Sequence, residues 1–158
     1  MDKFIGTKSV HAKEMSREQF IELQKGTVRP PLSEEEIKEN GYFVKYEDGY
    51  ESWSPKSVFE KAYKKTDGMT FGLAIEAMKK GCRIARKGWN GKGMFVVYQK
   101  GYPEGIPCNK QTAEAYGYNE GDLFKCRPYM QMRCADGTHQ MWLASQSDIL
   151  ENDWYIVE

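Results

Sequence analysis

Histidine and cysteine, the usual ligands of structural zinc, are scarce in this sequence of 158 residues. The two histidines, His11 and His139, lie far apart, and the four cysteines contain no C-x-x-C pair. Zinc sites need such residues at short, defined spacings, so we expect no bound metal and no cofactor. In a reducing compartment, the simplest expectation is that the cysteines are small core residues or free thiols. They are Cys82, Cys108, Cys126 and Cys134.

Long apolar runs are also missing from the sequence. No segment reaches the roughly 20 apolar residues of a membrane-spanning helix. The N-terminal stretch MDKFIGTKSVHAKEM lacks the apolar core of a signal peptide, so we expect a cytoplasmic protein without a membrane partner. The 23 basic and 23 acidic residues give a net charge of zero, which argues against general binding of a nucleic acid polymer.

The order of predicted helices and strands indicates an α+β chain of two small units. Residues 1–63 form the first, with an N-terminal strand from Lys3, a short helix ending near Gly26 and a later hairpin. The local signals are capping boxes at Ser16/Gln19 and Ser33/Glu36, turns at Pro30-Pro31 and Asp48-Gly49, and a helix start with Ser54 as N-cap and Pro55 as first helical residue. Residues 64–68, KKTDG, contain no apolar side chain and are predicted to be a linker.

Residues 69–158 predict a second unit, an antiparallel sheet packed by one main helix. The helix is TFGLAIEAMKKG, and Gly81 ends it. Its apolar face is predicted to consist of Phe71, Ala74, Ile75 and Met78. A long polar insertion carries a short helix near 112–116, and Ser145 is the expected N-cap of another. The stretch YIVE closes the unit as a last strand, beside Trp154, which we expect in the core.

The segment PYMQMRC-ADGT-HQMWLAS predicts a β-hairpin with two different faces. Alternation along the strands should direct one set of side chains towards the Phe71 helix: Met130, Met132, Met141 and Leu143. The opposite face would then carry Tyr129, Gln131, Gln140 and Trp142. An aromatic and amide face on the solvent side of a small sheet is typical of a contact surface for a ligand or a second subunit.

Basic residues are concentrated between Lys79 and Lys100, where no acidic residue occurs. The seven are Lys79, Lys80, Arg83, Arg86, Lys87, Lys92 and Lys100. Such a run is either a solvated basic edge or a site for a small anionic ligand.

Within this run, RKGWNGKGMF, residues 86–95, is rich in glycine but is not a Walker loop, because Met94 and Phe95 follow its last glycine. Asn90-Gly91 predicts a tight hairpin turn. Arg86 would lie at the rim of the core or point into a pocket, and Lys92 at the solvated tip of the turn.

Longer motifs connect the second unit to a known family. MTFGLAIEAMKKGCRIARKGWNGKGMFV, IPCNKQTAEAYG, CRPYMQMRCADG and MWLASQSDILENDW occur in this order. Over Met69 to Glu158 the chain resembles the second Thoeris anti-defence family of phage and prophage proteins. The resemblance implies a non-enzymatic sponge that forms homo-oligomers, typically tetramers, in the host cytoplasm. Its implied ligand is a cyclic ADP-ribose isomer made as an immune signal by TIR-domain proteins, with cyclic dinucleotides bound by some relatives.

The resemblance also implies roles for individual residues. Such a ligand offers an adenine face, ribose hydroxyls and a diphosphate. Carried over to matching positions, the stacking residues are Trp89 and Trp142, the phosphate contacts are Arg86 and the N–H groups around Asn90 and Gly91, and the polar contacts are Asp148 and Gln146. Phe71 and Tyr129 are further candidates for the ligand site, with the core as their alternative. The first unit is similar to small uncharacterised phage modules, so its role stays open.

Two other functions remain compatible with these residues. A protein-docking inhibitor or virion-associated protein would use the aromatic face to bind another protein, and the unassigned first unit leaves room for it. A phosphodiesterase would need clustered carboxylates and histidines or an activated nucleophile. The acidic residues of the second unit are scattered along the sequence, and neither histidine has an evident partner, which disfavours catalysis.

Overall fold

The computed structural model describes residues 1, 3, 5–24 and 31–158. The predicted helix end near Gly26, Pro30 of the predicted turn and Phe4 of the predicted strand lie outside the described residues. The described residues combine helices with antiparallel sheets, which confirms the α+β class. They form two compact units, Met1–Lys64 and Lys65–Glu158.

The first unit is a three-stranded antiparallel sheet of order β1-β2-β3 with helices on both faces. Its elements are β1 (Val10–Ser16), α1 (Arg17–Leu23), α2 (Glu34–Ile37), β2 (Asn40–Tyr46), β3 (Glu51–Pro55) and α3 (Lys56–Ala62). Successive residues of a strand point to opposite faces. Phe43 therefore meets Phe20 of α1 at 6.0 Å between ring centroids, whereas Tyr42 stacks on Phe59 of α3 at 4.3 Å.

Most local signals of the first unit are confirmed. Both capping boxes, at Ser16 and Ser33, have the reciprocal hydrogen bonds that their sequences predict. Gly49 takes a positive φ of 85° in the turn between β2 and β3, as expected for Asp48-Gly49. The predicted start of α3 is wrong by one residue, because Pro55 stays extended at the end of β3 and becomes the N-cap. The N-terminal strand begins at Val10, later than its sequence suggests.

The second unit contains a five-stranded antiparallel sheet of order β10-β4-β5-β8-β9 and a separate two-stranded ribbon, β6-β7. Its elements are α4 (Phe71–Lys79), β4 (Arg83–Arg86), β5 (Phe95–Gln99), β6 (Tyr102–Pro107), α5 (Lys110–Tyr116), β7 (Leu123–Cys126), β8 (Tyr129–Arg133), β9 (His139–Met141), α6 (Gln146–Leu150) and β10 (Trp154–Val157). The ribbon and α5 form the long insertion between β5 and β8, and α5 confirms the helix predicted there.

Helix α4 covers one face of the five-stranded sheet. Thr70 caps its N-terminus by accepting a hydrogen bond from the N–H of Leu73, and Gly81 ends it with a φ of 95°. The core combines the buried face of the helix with side chains from the central strands and β10: Phe71, Ala74, Met78, Ile84, Val96, Met132 and Trp154. This confirms the predicted apolar face of the helix and the core position of Trp154, which is 0% exposed.

The predicted faces of the β8–β9 hairpin are wrong for its second strand. Met132 pairs with Gln140 and Gln131 pairs with Met141, so Trp142, not Met141, shares the helix-facing side with Met132. Met141 is 68% exposed on the opposite side. A hydrogen bond from the N–H of Cys134 to the carbonyl of Thr138 closes a three-residue loop in place of the expected four-residue turn ADGT. One residue of register moves a whole strand to the other face.

Among the described residues, no helix has both the length and the apolar character needed to cross a membrane.

Candidate functional site

The connection between β4 and β5 contains the segment RKGWNGKGMF and differs from the predicted tight hairpin. The two strands pair only at Ile84 and Val96, and Gly93, not Asn90 or Gly91, has a positive φ, of 70°. A type I′ turn at Asn90-Gly91 needs positive φ at both residues, so that prediction is wrong. Gly91 instead allows a close approach: a Cβ there would come within 3.0 Å of Ala135 and would force the side chain of Met94 to move.

This irregular connection forms one wall of an open cleft of about 460 Å³. The lining residues are Asp67, Arg86, Lys87, Trp89, Gly91, Lys92, Gly93, Met94 and Tyr155. The cleft therefore brings together three predicted site residues, Arg86, Trp89 and Gly91. Lys92, expected at a solvated tip, also lies in its wall. Arg133 fixes this wall by donating to the carbonyl of Gly93 at 2.7 Å.

Arg86 stands at the end of β4, and its guanidinium joins three segments. Its Nε donates to Asp153 Oδ1 at 2.7 Å and its Nη2 to Asp153 Oδ2 at 3.3 Å. Its Nη1 donates to Asp148 Oδ1 at 2.9 Å and to the carbonyl of Ser147 at 3.2 Å. The side chain of Arg86 is 11% exposed and also lines the cleft, so the two predicted alternatives, the rim of the core and a pocket, apply together. These two carboxylates raise the pKa of Arg86, with Asp153 the larger influence.

Asp148 is the buried acidic residue at the start of α6. Its Oδ1 accepts from both Arg86 and the indole Nε1 of Trp89, the latter at 3.1 Å. Its Oδ2 accepts from the N–H and hydroxyl of Ser145 at 3.0 and 2.6 Å. In return, the hydroxyl oxygen of Ser145 accepts from the backbone N–H of Asp148 at 3.2 Å, which confirms Ser145 as the N-cap. Burial alone would raise the pKa of Asp148, but the hydrogen bonds from Ser145, Arg86 and Trp89 together lower it to about 2.

Asp153 closes the network from the residue before β10. Besides Arg86, its Oδ2 accepts the backbone N–H of Gly88 at 2.8 Å. The hydrogen bonds from Arg86 lower the pKa of Asp153 against the effect of burial. A Cβ at Gly88 would lie 3.0 Å from this oxygen and 3.3 Å from Arg86 Nη2, so glycine allows the close approach.

Four aromatic rings form a cluster behind the cleft: Phe71, Trp89, Trp142 and Trp154. Trp89 meets Trp154 at 5.4 Å and Trp142 at 5.9 Å between ring centroids, both in edge-on arrangements. Phe71 is buried and meets Trp142 at 6.3 Å. Edge-to-face geometry is favourable for aromatic pairs, so Trp89 is held on two sides while it lines the cleft.

The remaining predicted site residues are more dispersed. Tyr129 pairs with Gln99 on the sheet face away from α4, and Gln146 and Asn90 are exposed. Trp142 and Asp148 contact Trp89 but do not line the cleft. The ligand roles of all nine residues stay predictions.

The sequence did not indicate that Asp67, Lys87 and Tyr155 would line the same cleft as Trp89. Of these, only Lys87 belonged to a recognisable signal, the basic run from Lys79 to Lys100.

The basic run is partly neutralised by acids that are distant in sequence. Arg86 is paired with Asp148 and Asp153, which follow it by 62 and 67 residues. Lys79 is paired locally with Glu76 at 2.9 Å. Lys87 and Lys92 are exposed at the cleft. The positive charge that faces the cleft is therefore concentrated in these two lysines.

Within the part of the chain that the structure describes, no group of three or more histidine, cysteine, aspartate or glutamate side chains is arranged to hold a metal ion.

The second unit thus belongs to the class of small α+β domains that have one helix on an antiparallel sheet and an open cleft with aromatic and basic walls. Residues 69–157 match the model of the Tad2-like family, described as the Thoeris anti-defense 2-like domain. The chain belongs to this family, which confirms the resemblance of its motifs.

A similar protein is Thoeris anti-defense 2 of Bacillus phage SP01. It is 32% identical over 92 residues, which cover 56% of this chain and 94% of the phage protein. Membership of this family supports a phage anti-defence role for the chain. The first unit lies outside the residues that the family model matches.

Proposed function

We propose that this protein binds and sequesters a cyclic nucleotide immune signal in the host cytoplasm without degrading it. The preferred class is a cyclic ADP-ribose isomer, with cyclic dinucleotides as a second class to be compared. The observation that carries the proposal is the cleft of about 460 Å³ in which Trp89 lies together with Lys87 and Lys92. Its volume falls within the roughly 300–1,000 Å³ of small-molecule sites.

The lining of the cleft matches the chemistry of such a ligand. Trp89 offers an aromatic surface for adenine, and stacking of a base contributes roughly 1–3 kcal/mol. Lys87 and Lys92 supply charge for the diphosphate, which a charge-assisted hydrogen bond stabilises strongly. The carboxylate of Asp67 and the hydroxyl of Tyr155 can accept hydrogen bonds from ribose hydroxyls.

The acidic groups at the cleft favour binding over hydrolysis. Among the described residues, the lining contains one acidic side chain, Asp67, without a second carboxylate or a histidine beside it in the lining, and the other two acids, Asp148 and Asp153, lie next to the cleft. A general acid or base works best with a pKa near the pH of the reaction. Asp148 has a pKa of about 2, and both of its oxygens already accept hydrogen bonds within the chain. The pKa of Asp153 is also lowered, and Arg86 binds both of its oxygens. We therefore propose retention of the ligand without turnover.

We further propose that the chain forms a homo-oligomer, a tetramer, through the sheet face opposite α4. This outer sheet face includes Phe95, Val97, Tyr129, Gln131 and Met141. Its composition differs from the sequence prediction because Gln140 and Trp142 leave it and Met141 joins it. The face also carries the polar Gln99 and Arg133, and a surface that mixes aromatic, methionine and arginine side chains is typical of association between subunits.

One retention experiment tests the proposed function. The full chain is mixed with a cyclic ADP-ribose isomer, passed through a size filter, denatured by heat and analysed by chromatography. Recovery of the intact ligand from the retained fraction supports sequestration. Recovery of hydrolysis products would make the protein an enzyme. Absence of ligand from the retained fraction would overturn the proposal and leave protein docking as the alternative.

A further inference from the structure

The carboxylate of Asp148 is fully engaged inside the chain. Its Oδ1 accepts from Trp89 Nε1 at 3.1 Å and from Arg86 Nη1 at 2.9 Å, and its Oδ2 accepts two hydrogen bonds from Ser145. The residue is 8% exposed. A ligand hydroxyl could reach this carboxylate only by displacing one of these donors, which would leave a buried polar group unpaired.

The guanidinium of Arg86 is likewise almost fully hydrogen-bonded within the chain. Its four hydrogen bonds use four of the five N–H donors of a guanidinium. Two carboxylates, Asp148 and Asp153, face its single positive charge, so the three side chains together carry a net charge of −1. Such a group attracts a phosphate weakly, although Arg86 lines the cleft.

We propose that Asp148 and Arg86 are positioning residues that hold the indole of Trp89 as a preformed wall of the cleft. Lys87 and Lys92 then supply the positive charge that binds the phosphates of the ligand. This assignment rests on the proposed function of the cleft and changes the roles implied for Arg86 and Asp148 by family resemblance.

Preformation of the wall has a physical advantage. Ordering a flexible side chain on binding costs free energy, and a side chain that is already fixed avoids this cost. Trp89 is fixed at its N–H by Asp148 and at its rings by Trp142 and Trp154. The exposed side chains of Lys87 and Lys92 can then change conformation to contact the phosphates without moving this wall.

Nuclear magnetic resonance of the indole N–H groups tests the positioning role without any ligand. The full chain contains four tryptophans, and Trp89→Phe identifies the signal of Trp89. We expect this indole N–H to be protected from exchange with water in the parent protein. In Asp148→Ala, which removes the accepting oxygen, its signal should shift and its exchange should accelerate, whereas Asp136→Ala, at an exposed turn of the same unit, should leave it unchanged.

The parent protein alone can overturn this part of the inference, even if Asp148→Ala fails to fold. An indole N–H of Trp89 that exchanges as fast as that of an exposed tryptophan would show that Asp148 does not hold it. An unchanged Trp89 signal in a folded Asp148→Ala variant would have the same meaning.

Calorimetry with a cyclic ADP-ribose isomer at several salt concentrations tests the assignment of charge. The double variant Lys87→Gln/Lys92→Gln should lose about tenfold or more in affinity and most of the salt dependence. Arg86→Lys should weaken binding while it keeps the parent's salt dependence and shifts the Trp89 indole signal. A double lysine variant that binds like the parent would overturn the charge assignment. The same conclusion would follow if Arg86→Lys lost the salt dependence while its Trp89 indole signal stayed unchanged. A parent protein that binds no ligand would overturn the proposed function, and the indole signal would still decide the positioning role.

Discussion

The indole N–H of Trp89 donates to Asp148 Oδ1 at 3.1 Å, although 59 residues separate the two in sequence. The same oxygen also accepts a hydrogen bond from Arg86 Nη1, and this bond joins the end of β4 to the start of α6. The wall of the cleft and the stability of the second unit therefore depend on the same hydrogen bonds. Substitutions in this network should change both properties, whereas substitutions in the exposed lysines should change binding alone.

Arg86→Ala should destabilise the protein strongly. Removal of one partner from a buried ion pair leaves the other charge without compensation, which costs about 3 kcal/mol or more. Here two carboxylates, Asp148 and Asp153, would lose their partner. Unfolding of the full chain by urea measures the effect. The matched control is Lys79→Ala, which removes an exposed pair with Glu76 and should leave stability unchanged. Equal stabilities of the two variants would contradict the structural role of Arg86.

Trp89→Ala should reduce both stability and ligand affinity. The ring contacts Trp142 and Trp154, and truncation of a packed tryptophan costs about 3 kcal/mol. Loss of a stacking surface should also weaken binding about tenfold to a hundredfold. Thermal unfolding and calorimetry on the same sample measure the two effects. Tyr116→Ala provides the comparison, because Tyr116 also contacts two rings, those of Tyr118 and Phe124, but is 63% exposed and lies outside the cleft. It should keep the parent's affinity and lose much less stability. Parent-like affinity in a folded Trp89→Ala variant would exclude Trp89 from the ligand site.

Acid should destabilise the parent protein partly through Asp148. Its pKa is lowered from 3.8 to about 2 in the folded chain, so the unfolded chain binds the proton more tightly. The resulting stabilisation, about 2 kcal/mol, is fully present above pH 4 or so and disappears as the pH falls to about 2. Urea unfolding between pH 7 and pH 2.5 measures this loss. Asp148→Asn should start less stable and lose less on acidification, and an identical pH profile for the two proteins would be inconsistent with this pKa.

Met141→Glu should weaken the proposed oligomer. Met141 is 68% exposed on the outer sheet face, and a charge buried between subunits is costly. Gln140→Glu is the matched control, because Gln140 lies on the same strand but on the side of Met132. Light scattering at micromolar concentration should show smaller particles for Met141→Glu only. A parent mass of 18.3 kDa would show a monomer and overturn the proposed assembly. An intact oligomer in Met141→Glu would move the interface to another surface.

Short-range signals in the sequence determined many of the helices and strands. The capping residues Ser16, Ser33 and Ser145 each interact with a residue three positions later, so their motifs are complete within one turn of helix. The apolar periodicity of α4 likewise predicts its buried face because one helix presents that face as a unit. The family motifs identified the second unit for a related reason, since each is a continuous stretch of residues.

Tertiary structure decided the features that depend on contacts between distant segments. Asn90-Gly91 has the sequence of a tight turn. However, Trp89 donates a hydrogen bond to Asp148 and Met94 packs against Gly91, so the connection adopts another shape. These contacts together contribute more free energy than the local turn propensity of Asn90-Gly91, so the positive φ occurs at Gly93 instead.

The site depended on such contacts even more strongly. Asp148 and Asp153 approach Arg86 only in the folded chain. Their ion pairs make Arg86, one of the seven cations of the basic run, part of a largely buried network. Similarly, a loop shorter by one residue than its sequence suggested placed Trp142 beside Phe71 and exposed Met141. Sequence alone therefore determined which residue types were available for a site, whereas long-range pairing determined which of them face the cleft, because ion pairs and strand register form between segments that no local pattern connects.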